Sequence, residues 1–215
     1  MKKKIFTIAA FMLTFGTMLS AQVFVGGAFN LSTSSNKETM GSVSIDGDKS
    51  FEFYLNPKAG YFISDDFAIG LGLGFGTSKT TSPKEITYSG EEEIDKENYW
   101  AIAPFARYYF ARTGELSFFG EATLGFGGGK SEYSVGNITQ DGPKVSMIGF
   151  SIAPAISYNL SEKFAIEASF GSLGYSSSSY TSEQTGREET YKLKVSGIDF
   201  SLDLTSLYFG AIFKF

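Results

Sequence analysis

The sequence predicts an all-β chain folded as an eight-stranded antiparallel up-and-down barrel whose strands cross a membrane. Three observations predict it. Apolar side chains alternate with small ones over about ten residues in stretch after stretch, the period of a strand and near the length a tilted spanning strand needs. The connections alternate between a few residues and long polar runs, the pattern of short turns at one end of a barrel and long loops at the other. The chain also ends in an alternating apolar strand, where chain ends more often fray.

Residues 1–21 read as a secretory signal peptide. Lys2, Lys3 and Lys4 precede an apolar run from Ile5 to Leu19, and Ser20-Ala21 precede Gln22. The run is about 15 residues, short of the roughly 20 that a spanning helix requires. Residues 22–215 form one barrel domain. Without the signal, 18 bases less 3 leave 15 against 23 acids, a formal charge of −8. That balance offers nucleic acid nothing.

Eight strand-like stretches follow, at about 22–32, 50–63, 66–78, 98–111, 115–129, 145–160, 163–176 and 200–215. Short turns fall near Ser64-Asp65, Arg112-Thr113-Gly114 and Ser161-Glu162-Lys163. Long polar loops are expected at 33–49, 79–97, 130–144 and 177–199. A repeat, Pro-x-x-x-Tyr-x-Ile/Phe/Leu, begins at Pro57, Pro104 and Pro154 and is read as a repeated hairpin. Aromatic and Gly enrichment (22 Phe, 12 Tyr, 25 Gly) suits curved strands. A mean hydropathy of −0.03 is what alternation leaves when a lipid face is averaged with a lumen face.

The faces follow from the third and sixth stretches. Phe67, Ile69, Leu71, Leu73 and Phe75 share one side, and Ala68, Gly70, Gly72, Gly74 and Gly76 the other. Ile148 through Leu160 alternate in the same way with Gly149 through Asn159. A soluble ligand-binding barrel would turn the large set inward. An eight-stranded interior is only wide enough to be filled by side chains, so the large set belongs outside. The small face also carries Glu52, Lys58, Arg107, Glu121, Glu167 and Lys214. A turn centred near Gly114 puts Arg107 opposite Glu121. Buried ions of mixed sign need one another, which predicts a paired charge network plugging the lumen.

The last strand, Leu207 to Phe215, resembles the C-terminal insertion signal of bacterial outer-membrane barrels at Tyr208, Gly210, Phe213 and Phe215. The chain from 22 to 215 resembles the small eight-stranded outer-membrane barrels of Gram-negative bacteria, the OmpA/OmpX/OmpW type. The resemblance implies short periplasmic turns, long extracellular loops, and a monomer in the outer membrane handled by the barrel-insertion machinery. It also implies a periplasmic-side aromatic girdle of Tyr61, Tyr108, Phe110, Tyr158 and Phe164, with Phe215 beside it. A surface ligand would be met through the loops.

Chemistry is sparse. With no His and no Cys, His-based triads, most catalytic zinc sites and thiol nucleophiles are excluded. Barrels resembling palmitoyl transferases, lipid deacylases or omptin-type proteases depend on His, so a non-enzymatic protein is expected. Asp46-Gly47-Asp48 and Glu91-Glu92-Glu93 lack EF-hand spacing and read as solvated loops. Gly127-Gly128-Gly129-Lys130 lacks phosphate-loop register and reads as a strand end. Ser176 to Ser179 read as a flexible polar tract. No cofactor and no metal is expected. The function predicted is a structural or surface-interaction scaffold; the alternative is a narrow channel for small or apolar solutes, motivated by the glycines of the third stretch.

Overall fold

The computed structural model describes residues 23–40, 43–84, 86–183, 190–201 and 207–214. The expected signal peptide and Phe215 lie outside them. Alternation becomes strand throughout: β1 (Val23–Met40), β2 (Val43–Phe62), β3 (Phe67–Ser82), β4 (Glu93–Thr113), β5 (Leu116–Val135), β6 (Ile138–Asn159), β7 (Phe164–Phe170), β8 (Ser172–Glu183), β9 (Thr190–Ser201) and β10 (Leu207–Lys214).

All pairings are antiparallel, and they close a ring of eight: β1-β2-β3-β4-β5-β6-β7-β10 and back to β1. The ten segments still amount to eight barrel strands. β7 and β8 pair with the lower and upper parts of β6, joined at Gly171, whose φ of +80° suits a residue without Cβ. β9 continues the β8 hairpin as β10 continues the β7 pairing. Closure between the first and last strands runs from Phe24↔Lys214 to Gly27↔Ala211.

The long polar loops expected from the sequence are largely strand instead. β1 and β2 stay paired up to Met40↔Val43, and β5 turns into β6 through a two-residue turn at Gly136, with φ +54°. The serine tract 176–179 lies inside β8, paired to β6 and β9, and Gly127 to Lys130 lie inside β5. The physical reason is that β-branched Thr suits strands, and paired amides hold an extended hairpin, serines included, without an apolar face. Pro57 and Pro104 face outward, and each leaves a gap in the ladder to the next strand, as a residue lacking N–H must.

The outer surface carries the apolar band. Ile69, Leu71, Phe75, Trp100, Ile102, Leu124, Phe126, Ile148, Phe150 and Ile152 are all exposed large hydrophobics. From Phe67 to Phe75 the band runs along about 27 Å of strand at ~3.4 Å per residue. On β3 to β6 it stops at one register row, where Thr77, Asn98, Lys130 and Lys144 lie side by side, while on β1 and β2 Leu31, Phe53 and Phe51 carry it onto and just past that row. Beyond that row the outward side chains of β3 to β5 are mostly polar, with Lys79, Thr81 and Lys96 among them. A ring of strands closed on itself with apolar side chains outward is the one way a sheet can sit in hydrocarbon, and among the described residues the first and last strands close it from Phe24 to Gly27.

Candidate functional site: the lumen

The lumen has two storeys. The lower one, near the short turns, is packed. Phe24, Ala68, Phe105 and Ile212 form one buried cluster, Tyr109, Phe119 and Ala155 another, and Phe62 bridges them. The expectation of an inward face of small residues and charges did not include these rings. Large rings fit because they lie over strand glycines. A Cβ on Gly60 would strike the Phe24 ring, and one on Gly70 would strike the Phe105 ring and the Ala59 carbonyl.

On this apolar floor stands an ion cluster. The Arg107 side chain is 0% exposed, and its five N–H donors are all engaged. Nε and Nη2 donate to Glu121 Oε2 at 3.0 and 2.6 Å. Nη1 donates to Glu167 Oε1 at 2.6 Å and Nη2 to Oε2 at 3.1 Å, the bidentate geometry that suits guanidinium and carboxylate. The remaining Nη1 bond goes to the Tyr109 hydroxyl at 3.0 Å. Lys58 Nζ lies 3.4 Å from both Glu121 and Glu167. Two bases meet two acids, so the cluster is neutral. The guanidinium carbon also sits 4.1 Å from the Phe119 ring centre and 5.2 Å from that of Phe24.

Of the six charges on the small face, the structure thus brings Lys58, Arg107, Glu121 and Glu167 together and leaves two apart. Lys214 lies toward the short turns, where Nζ donates to Asn159 Oδ1 at 2.8 Å. Glu52 lies at the far end, in a row with Ser78 and Glu97. Parity along a strand fixes the face but not the height, and the stagger of a barrel separates residues of one face widely. Sequence reasoning did not find the rings around Arg107. Phe105, Tyr109 and Phe119 do share parity with Arg107 or Glu121, and that was the available signal.

Above the cluster a cavity of about 290 Å³ is lined by Gly72, Gly74, Ala101, Ala103, Ala153 and Asn56, with Lys58, Glu121 and Glu167 at its base. Higher still, toward the long hairpins, a wider space of about 650 Å³ is lined by Tyr54, Tyr99, Tyr180, Val145 and Met147 with Glu97 and Lys130. Among the described residues no group of three or more acids is placed to hold a metal ion.

The other sequence-predicted residues fall as follows. Tyr108, Phe110, Tyr158 and Phe164 are exposed on the outer surface around the short-turn end, and Tyr61 is half-buried there. In β10, Tyr208, Gly210 and Phe213 pair with Ser169, Glu167 and Phe164, and Phe213 points outward. Turns one and two are tied together by Arg112, which donates to the Asp66 carboxylate and the Asp65 carbonyl.

No protein-family model matches the chain, and neither does any curated protein sequence. Solved structures are similar in outline. The attachment invasion locus protein Ail of Yersinia pestis is 15% identical with a TM-score of 0.41, over 92% of this chain and 100% of that one. Neisserial surface protein A is 17% identical with a TM-score of 0.38, over 90% and 96%. The outer membrane protein OprG of Pseudomonas aeruginosa is 13% identical with a TM-score of 0.48, over 91% and 96%. At these values they are likenesses only. Strand register and the outward apolar band carry the assignment: the chain is an eight-stranded antiparallel transmembrane β-barrel.

Proposed function

We propose that the chain is a non-enzymatic outer-membrane scaffold with a plugged lumen, holding its long hairpins outside the cell. The observation that carries this reading is the ion cluster. Arg107, Lys58, Glu121 and Glu167 reach across the lumen from β4, β2, β5 and β7 and rest on a layer of rings. A rigid base with protruding hairpins is where binding to a surface ligand is best placed. Residues 1–21 act in this reading as a cleaved signal. Tyr208, Gly210, Phe213 and Phe215 serve recognition by the insertion machinery. Both chain ends then face the periplasm, and the barrel is a monomer.

Planar-bilayer recording tests the reading. The scaffold should show no steady conductance, and its membrane fraction should shift mobility on boiling in detergent. The second reading, a narrow channel for small or apolar solutes, draws on the cavity beside Gly72 and Gly74. A steady conductance that Gly72→Leu abolishes would favour the channel and sink the scaffold. A soluble, unshifted protein would overturn both.

A further inference from the structure

We propose that the long-hairpin mouth of the lumen is a binding site for a small organic cation of the alkylammonium class. The reading goes beyond the scaffold and does not require the lumen to conduct.

One register row supplies the walls. Tyr54, Gly76, Tyr99, Gly129, Val145 and Tyr180 are successive partners across β2, β3, β4, β5, β6 and β8. Their parity turns them inward, and the tyrosines, Val145 and Gly129 line the 650 Å³ space. The Tyr54 and Tyr99 rings approach to 5.3 Å between centres. They lie over Gly76, where a Cβ would strike both rings. Three phenol rings lining an open space suit a desolvated cation, because a ring face is electron-rich.

The next row outward supplies the charge. Glu52, Ser78, Glu97 and Ser131 are successive partners on the same inward face. Among the described residues neither Glu52 nor Glu97 is in an ion pair. Lys130, whose side chain belongs to the outward row, is paired with Glu132 at 2.8 Å. Glu97 lines the space and Glu52 shares its row, so two carboxylates without an ion pair stand at the mouth above the three rings.

The class of ligand follows by comparing the alternatives. An anion would meet the carboxylates at short range and be repelled. A metal ion would need several oxygens, but Val145, Met147 and the rings offer mostly carbon. A neutral solute would gain nothing from Glu52 and Glu97. A quaternary alkylammonium ion has no N–H and is weakly hydrated, fits the volume, and uses both the rings and the charge.

The full barrel, folded in a sugar-headed detergent so that no choline headgroup competes, is titrated calorimetrically with tetramethylammonium chloride. Saturable binding is expected. Tyr99→Leu should weaken it about tenfold, the loss expected when one cation–π contact in a desolvated site is removed. The Glu52→Gln/Glu97→Gln pair should weaken it by at least as much. The neutral, similarly shaped 3,3-dimethylbutanol should bind at least about tenfold more weakly. Each variant is first checked for its mobility shift on boiling, and Tyr180→Leu replaces Tyr99→Leu if the latter does not fold. No saturable binding by the wild-type barrel, equal binding of the alcohol, or unchanged binding by the folded tyrosine variant would overturn the site.

Discussion

The two storeys of the lumen are built on the same strands but obey different rules. In the lower storey glycines are receivers: Gly60 and Gly70 have no Cβ because rings from facing strands occupy that space. In the upper chamber Gly72 is a true opening, with only ordinary contacts near its missing Cβ. One stripe of glycines along β3 therefore receives rings at Gly70 and at Gly76 and leaves the barrel hollow at Gly72 between them. Composition alone does not distinguish the two; the size of the residue facing each glycine does, with Phe105 opposite Gly70 and Ala103 opposite Gly72.

The largest way to break this contrast is at Arg107. Replacing it with Ala leaves Glu121 and Glu167 short of their main partner, and should cost about 3–5 kcal/mol of unfolding free energy, as loss of one member of a buried ion pair does. Urea unfolding in lipid vesicles measures it. Gly70→Ala comes next. Its methyl group must displace the Phe105 ring and the Ala59 carbonyl, and a loss of about 1–3 kcal/mol is expected from overpacking. Gly72→Ala, two residues along the same face, should stay within about 0.5 kcal/mol of wild type. Equal effects at the two glycines would erase the distinction between storeys.

Smaller effects sharpen the picture. Tyr109→Phe removes the hydroxyl that accepts from Arg107 Nη1 but leaves the Glu167 bond in place, so about 1 kcal/mol is expected. At the bottom of the scale stands the exposed Lys130–Glu132 pair outside the apolar band. The lysine's hydrogen bond holds the Glu132 carboxyl below its usual range. A depressed carboxylate stabilises at neutral pH and loses that contribution as acid protonates it. Solvent screens this pair, so Glu132→Gln should leave the urea midpoint at pH 7 unchanged.

How much of this was legible in the sequence divides along physical lines. The barrel was legible because strand parity is written directly in the alternation of residues such as Leu71, Gly72, Leu73 and Gly74. The true length of the strands was not. In hairpins such as 32–40 with 43–50, polar residues lie on both faces, so pairing there leaves no hydrophobic period to read. Arg107 and Glu121 could be set opposite each other because a short turn fixes their register. Glu167 arrives from a strand distant in sequence, and Glu52 and Lys214 share its face at other heights. Their positions depend on the stagger of the whole barrel, which no local pattern encodes. The ring-over-glycine packing was hidden for the same reason, since it joins residues of neighbouring strands rather than of one.

The central claim is that one coupled ion cluster closes the lower lumen. A double-mutant cycle of Arg107→Ala and Glu121→Ala, measured by urea unfolding of the vesicle-inserted barrel, tests it most directly. Residues sharing a buried network should couple by about 1–3 kcal/mol, so the double variant should lose clearly less than the sum of the two single losses. Additive losses would contradict the account and mean that the two side chains act independently in an unplugged lumen.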